Sequence, residues 1–379
     1  MTRVWTINGR FLDQGLTGVQ RYAREIVCGL DRLLIEGHPL CSDLEIELVM
    51  PPGASCDLDL TRIRPRTVGR LSGHLWEQLE LPFAAGDRLL SLCNTGPVLA
   101  SRHIVCIHDA NTRIVPESYS FAFRLVYRVL HPVLGSSASR VTTVSKFSAE
   151  QIAKLGIAPK EKVDVIANGH EHALRWRPEF TDAIMPACNR QTIVVLGSRA
   201  SHKNISMLLD LAPALAKEGL QLAIVGAANA SVFSETGDLA EAENVLWLGR
   251  RSDSELAALY DSTLCLAFPS LTEGFGLPPL EAMALGCPVV SSDRASLPEV
   301  GGEAVLYADP LSPADWLDCF VRLRDDAVLR ENCERLGHEQ AAKFSWSQSA
   351  ERYAMLFAQA DGLAVSQTTA NQLSSVWAA

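Results

Sequence analysis

An α/β protein built from two Rossmann-like domains is predicted by three features of the sequence. The second half alternates short apolar runs of strand length with segments of helix length. The first half repeats the theme less regularly, and a proline-containing stretch without periodicity lies between them. In the second half the strand candidates are 192–197 (TIVVLG), 220–226 (LQLAIVG), 244–249 (NVLWLG), 262–268 (STLCLAF) and 287–292 (CPVVSS). The helix candidates between and beside them are 205–219, 253–261 and 277–286. Runs apolar at nearly every position are buried on both faces, as parallel strands covered by helices are. In the first half RVWTIN, LEIELVMP, RLLSLC, RHIVCIHD, RVTTVS and KVDVIANG read as strands, and 19–34 as a strong amphipathic helix after a Gly-containing turn. The stretch 175–191 reads as the interdomain linker. Two such domains would face each other across a cleft lined by the carboxyl ends of their strands, where ligands of open α/β sheets bind.

Composition agrees with this size and class. A chain of 379 residues, 47% hydrophobic and 21% charged, is comfortable for two domains with cores that need no staples. Its ten cysteines are scattered, with no C-x-x-C pair, so reduced thiols in a cytosol are expected rather than a metal or redox framework. The N-terminal MTRVWTINGRF has no apolar core of a signal peptide, and no window approaches the roughly 20 apolar residues of a spanning helix. A cytoplasmic protein, free to touch a membrane surface, is the expectation. Net charge is −10, unevenly divided: residues 1–180 hold 21 Lys and Arg against 19 Asp and Glu (+2), leaving 13 against 25 (−12). The first half is therefore the one to face an anionic partner. Nucleic acid is excluded as a partner, because no dense basic run with interleaved aromatics occurs.

The chemistry-bearing residues cluster after the predicted strands. In LTEGFGLPPLEAM, Glu273 follows the strand LCLAF, and Gly274 and Gly276 let backbone N–H groups come close to a ligand. Pro278 and Pro279 suit the first turn of a helix that then carries Glu281. Two carboxylates with bare backbone between them suit a polyhydroxylated, phosphorylated ligand. In GSRASHKN (197–204), Gly197 permits a turn while Arg199, His202 and Lys203 bring positive charge to a helix N-terminus, a natural diphosphate site. No Gly-Lys-Ser/Thr follows, so this is not a P-loop, and GLTGVQRY after the first strand is not the G-x-G-x-x-G of a dehydrogenase. His108 and Asp109 end the strand HIVCIHD, with Asp109 placed to fix the imidazole. Arg62, Arg64, Arg66 and Arg70 form a basic loop among leucines, suited to solvent, to anionic lipid headgroups or to a lipid-diphosphate acceptor.

The segment EGFGLPPLEAMALGCPVV resembles the Glu-x7-Glu segment of the retaining, GT-B-fold glycosyltransferases of family 4. The similarity extends through TGVQRYAREI, LWEQLELP, CNTGP, CIHD, TVSKFS, ANG, LGSRASHKN and FSWSQSAERY. It implies a GT-B fold with an acceptor-side domain at 1–182, a nucleotide-sugar domain at 183–345, a helix at 346–361 crossing back to the first domain, and a tail at 362–379. It also implies roles. Glu281 would hold the ribose hydroxyls, Glu273 would lie by the donor sugar, and the Gly274–Phe275–Gly276–Leu277 backbone would line sugar and diphosphate. Lys203, with Gly197, Ser198 and Arg199, would bind the diphosphate; the family commonly has Arg where His202 stands. Gly18 would approach the donor phosphate, although the family often has a second glycine where Thr17 stands. Gly249 and Arg250 would border the base. His108 joins Glu273 and Lys203 as a catalytic-site residue, orienting rather than nucleophilic.

The activity implied is transfer of a hexose, with retention, from a nucleotide diphosphate sugar to a glycan or lipid-linked glycan in polysaccharide assembly. GDP-mannose is the preferred donor, with UDP- and dTDP-sugars open. No cofactor is expected, and no D-x-D motif calls for a metal. A nucleotide-sugar epimerase and a non-catalytic sugar-nucleotide-binding partner are the alternatives.

Overall fold

A computed structural model describes residues 2–197, 200–226 and 242–363. They form two compact units, one of residues 2–114, 121–169 and 344–363, the other of 115–120 and 170–343.

The first unit holds a parallel sheet ordered β3-β2-β1-β4-β5-β6-β7. Its strands are β1 (Arg3–Asn8), β2 (Leu44–Met50), β3 (Arg64–Thr67), β4 (Arg88–Ser91), β5 (Arg102–Cys106), β6 (Arg140–Thr143) and β7 (Val163–Val165). Its helices are α1 (Gly18–Glu36), α2 (Gly73–Leu79), α3 (Leu81–Ala84), α4 (Asn111–Ile114), α5 (Phe121–Ser137) and α6 (Lys146–Lys154). The second unit holds a parallel sheet ordered β10-β9-β8-β11-β12-β13. These strands are β8 (Thr192–Gly197), β9 (Gln221–Gly226), β10 (Val245–Gly249), β11 (Cys265–Phe268), β12 (Val289–Ser292) and β13 (Leu306–Ala308). Its helices are α7 (Ile205–Asp210), α8 (Ala212–Lys217), α9 (Asp253–Ser262), α10 (Leu277–Ala284), α11 (Leu297–Gly301), α12 (Pro313–Asp325) and α13 (Ala327–Ala341). In both sheets strand order runs outward from the first strand and then reverses. The reversal opens a crevice at the carboxyl ends of β1 and β4 in one unit and of β8 and β11 in the other.

The last helix, α14 (Trp346–Ala360), packs with the first unit. It lies against α1 where Gly29 has no side chain; a Cβ there would meet the Ala350 Cβ at 2.7 Å. Trp5 stacks on Phe357 with ring centroids 4.2 Å apart. Buried Tyr353 shares its hydroxyl with Tyr22 at 3.0 Å and Thr142 at 2.7 Å, and Ser349 donates to the Ala167 carbonyl. After the helix, Asp361 accepts from Arg3, Arg88 and the Trp5 indole.

Three expectations change. The helix predicted over 205–219 is two short helices, α7 and α8, parted at Leu211 because Pro213 lacks an N–H and its ring crowds the preceding turn. The stretch read as a linker, 175–191, is fastened to the second unit: Glu179 N–H donates to the Ser254 carbonyl, Thr181 to Glu255, and Arg190 to the Thr263 carbonyl. The units accordingly divide at Gly169–His170 rather than after 182. The arginine segment read as a loop contains an edge strand, β3, where Pro65 is tolerated.

The first unit buries three histidines, His103, His108 and His131, and burial pushes each ring down to about 4 from an ordinary 6.5. Each therefore binds its proton more weakly folded than unfolded, so acid favours the unfolded chain. Stability is expected to fall as pH drops through 6.5 and to stop falling on this account below about 4, by about 3 kcal/mol per ring. Denaturant unfolding followed across this range tests it; equal stability at neutral pH and midway to the lower value would contradict it.

Candidate active site

The second unit gathers most of the expected residues at its crevice. The loop after β8 carries Lys203 and the loop after β11 carries Glu273, and the two meet: Lys203 Nζ donates to Glu273 Oε1 at 2.5 Å. Both side chains keep some exposure, 26% and 12%, so the pair can open toward a ligand. Lys203 Nζ also lies 5.5 Å from the centroid of the Phe268 ring at the end of β11.

The glycine segment is shaped by its neighbours. Gly276 has φ +108°, and a Cβ there would stand 2.8 Å from Leu297 Cδ2, so only glycine fits before α10. Phe275 buries its side chain, so only its backbone can line a site. Fully buried Ser296 donates its hydroxyl to the carbonyls of Glu273 (3.0 Å) and Phe275 (2.9 Å). Trans peptides then turn the N–H groups of Gly274 and Gly276 away from Ser296. Leu277 opens α10, with Pro278 and Pro279 in its first turn, and Glu281 stands on that helix, nearly buried. There its Oε1 accepts from His172 Nε2 at 2.8 Å, and the buried His172 ring rests edge-on to Trp176.

The remaining expected residues are placed as follows. Gly197 ends β8; Ser198 and Arg199 lie outside the described residues. His202 is buried, its Nδ1 2.9 Å from the Ser118 hydroxyl, and burial and the Lys203 charge lower its pKa. A neutral ring cannot be a second cation for a diphosphate. Gly249 ends β10 with φ +68°. Arg250 is exposed, whereas Arg251 anchors the turn through the Leu248 carbonyl and Glu255.

In the first unit Gly18 is the first residue of α1, after Thr17 at the N-cap. His108 lies beyond β5, edge-on to Tyr22 of α1 at 4.9 Å. Its ring is fixed by the Leu92 carbonyl, 2.8 Å from Nε2, and Asp109 instead accepts from the Asn111 N–H. Asn94, in the left-handed region at φ +63°, accepts from the His108 N–H through its side chain at 2.7 Å. A buried ionic network lies at the ends of β1 and β4. Arg10 and Asn8 both donate to Glu77 Oε1, and Arg10 also donates to Thr95. Burial pushes the Glu77 carboxyl up, but the His74 hydrogen bond and the Arg10 charge more than offset it and hold it below its usual value. The four arginines thought to meet lipid are exposed but not unopposed. Arg66 pairs with Glu47 at 2.8 Å, and Arg62 and Arg64 share a hollow with Glu45 and Glu47.

Comparison with known proteins agrees with the fold. The profile of the family "Glycosyl transferases group 1" matches residues 181–361. O-antigen chain mannosyltransferase RfbU of Salmonella typhimurium is 25% identical over 339 residues, spanning 86% of this chain and 93% of that protein. O-antigen chain mannosyltransferase B of Escherichia coli is 30% identical over 265 residues, 66% of this chain and 68% of its own. The chain belongs to the glycosyl transferases group 1 family. As a group 1 enzyme it is a glycosyltransferase, and its fold is GT-B. The fold is shared with sucrose-phosphate synthase from Thermosynechococcus elongatus (TM-score 0.70, 18% identity, 96% of this chain and 100% of that one). It is shared also with WaaG, a glycosyltransferase involved in lipopolysaccharide biosynthesis (TM-score 0.67, 15% identity, 94% and 99%). His172 and Ser296 in the second unit, and Asn94 and the Arg10–Glu77 pair in the first, are not among the residues that the sequence singles out.

Proposed function

We propose that the protein is a retaining hexosyltransferase using a nucleotide diphosphate sugar, GDP-mannose before UDP- or dTDP-sugars, and acting on a glycan or lipid-linked glycan in polysaccharide assembly. The observation that carries this reading is the Lys203–Glu273 pair at the crevice of the second sheet, with Glu281 on the helix that follows the same loop. The mannose preference draws support from the two O-antigen mannosyltransferase relatives. Glu281 accepts hydrogen bonds from the ribose, and Glu273 from the hexose. Lys203 leaves Glu273 for the diphosphate when the donor enters, joined by the loop of Gly197, Ser198 and Arg199. Gly274 and Gly276 offer main-chain N–H groups, Gly249 and Arg250 border the base, and Gly18 approaches the donor phosphate. His108, neutral because burial holds it down to about 4, orients the sugar and does not supply a proton.

The acceptor hydroxyl attacks the face that the diphosphate leaves. The glycosidic bond to the phosphate oxygen breaks, the bond to the acceptor oxygen forms, and the diphosphate takes the acceptor proton. Lys203 stabilises the charge that builds on the leaving oxygen. Neither cofactor nor metal is assigned to the reaction. The enzyme would work on the cytoplasmic side of a membrane.

Thermal shift against a panel of nucleotide sugars identifies the donor, and product analysis with and without a glycan acceptor tests the reaction. Transfer that needs acceptor and keeps the anomeric configuration is expected. Release of an altered free sugar without acceptor would make the protein an epimerase, and donor binding with no turnover on any acceptor would make it a binding partner.

A further inference from the structure

We propose that the outer face of α5, with the exposed apolar residues of α2 and α3, docks on the surface of an anionic lipid bilayer. The helix is anchored at its C-terminal half, where His131 and Leu134 are buried. Its N-terminal turns turn apolar side chains to solvent: Phe121 is 72% exposed, Leu125 53% and Val129 61%. Leu75 and Leu79 on α2 and Phe83 on α3 are likewise exposed, Phe83 at 90%. An apolar groove of about 410 Å³ joins the helices, walled by Val126, Leu130 and Val133 on one side and His74, Gln78 and Val98 on the other. Gln78 adds no polarity there, because its amide is occupied at both ends, donating to the Gly96 carbonyl and accepting from the Val98 N–H. An apolar groove between helices that expose this many large apolar side chains marks an interaction site.

Charge selects the occupant. Along α5, Phe121–Ser137, the chain has two arginines and no Asp or Glu. Arg124 stands 5.8 Å from the Phe121 ring, and Arg128 follows one turn later, exposed. Apolar side chains interleaved with arginines on one helix face match an interface of acyl chains beneath anionic headgroups. A second copy of the chain fits worse, since a two-fold contact would set these arginines against their own counterparts with no acid on the helix to meet them. Among the described residues no helix is long and apolar enough to cross a membrane, so the contact is peripheral. The arginines of residues 62–70 contribute less to it, because Glu45 and Glu47 stand among them. The inference rests on the proposed function only for why a bilayer is met, namely to reach a lipid-linked acceptor.

Flotation of the full chain with vesicles tests it, using phosphatidylcholine alone and phosphatidylcholine mixed with phosphatidylglycerol. Wild type is expected to float with the mixed vesicles at low salt and to be released by high salt. The double variant Leu125→Asp, Val129→Asp alters only exposed positions, so it should fold, keep the wild-type thermal shift with nucleotide, and lose partitioning about tenfold or more. The variant with Arg62, Arg64, Arg66 and Arg70 all changed to Ser should keep most of its binding. The proposal is overturned if wild type stays out of the mixed vesicles at low salt, or if the Asp variant floats as wild type does. It is also overturned if wild type is a dimer that the Asp variant makes monomeric, which would make a second copy the occupant. Loss of nucleotide binding by wild type would count against the donor-site reading alone.

Discussion

Glu281→Ala is expected to weaken nucleoside diphosphate binding about ten- to 150-fold, the equivalent of about 1.5–3 kcal/mol for charge-assisted hydrogen bonds. It should also destabilise the second unit. His172 is buried and gives its Nε2 proton to Glu281, so truncation leaves a buried donor without that acceptor, at about 1–3 kcal/mol. Glu281→Gln separates the two effects: the amide oxygen still accepts from His172, while the carboxylate proposed to meet the ribose is gone. Unfolding and nucleotide titration of both variants provide the check. The expected pattern is that Ala loses stability and affinity while Gln loses affinity with little stability. Nucleotide affinity unchanged in both variants would remove Glu281 from the site.

Lys203→Ala should weaken nucleoside diphosphates by about ten- to 100-fold and leave the parent nucleoside untouched, because the ammonium is proposed to meet only phosphate. Removing its partner has a different sign. Glu273→Ala frees Lys203 from the 2.5 Å contact that occupies it, so affinity for the free diphosphate should not fall, whereas turnover should drop by roughly 100-fold with the loss of a group at the reacting sugar. Steady-state rates beside diphosphate and nucleoside titrations distinguish the two. Equal losses of nucleoside and diphosphate affinity in Lys203→Ala would make the β8 loop a structural turn.

Five of the second unit's six strands, β8 to β12, were legible because they leave nearly unbroken apolar runs, and β8 coincides with TIVVLG; β13, three residues long and only partly buried, leaves no such run. Glu273 and Lys203 could be placed at strand ends from the same pattern. Their contact could not, since they are 70 residues apart and only the strand order brings the ends of β8 and β11 together. The break between α7 and α8 was signalled by Pro213, inside a stretch whose apolar spacing still read as one helix. His172 and Ser296 had no signal of this kind. Each acts through a loop side chain on a residue distant in sequence, and neither sits in a periodic pattern. Arg10 and Glu77 stand in NGRF and LWEQ, where nothing local reveals that folding pairs them within a buried cluster. The exposed face of α5 was hidden for the opposite reason, because an apolar helix in a globular chain reads as core.

In the proposed reaction two carboxylates divide the donor between them, Glu281 taking the nucleotide and Glu273 the sugar. Titration calorimetry tests it most directly, with the tightest-binding nucleoside diphosphate and its hexose ester on wild type, Glu281→Ala and Glu273→Ala. Glu281→Ala is expected to lose affinity for both ligands by the same factor. Glu273→Ala should bind the free diphosphate at least as well as wild type and lose only the increment that the hexose adds. Equal losses of free-diphosphate affinity in the two variants would contradict it.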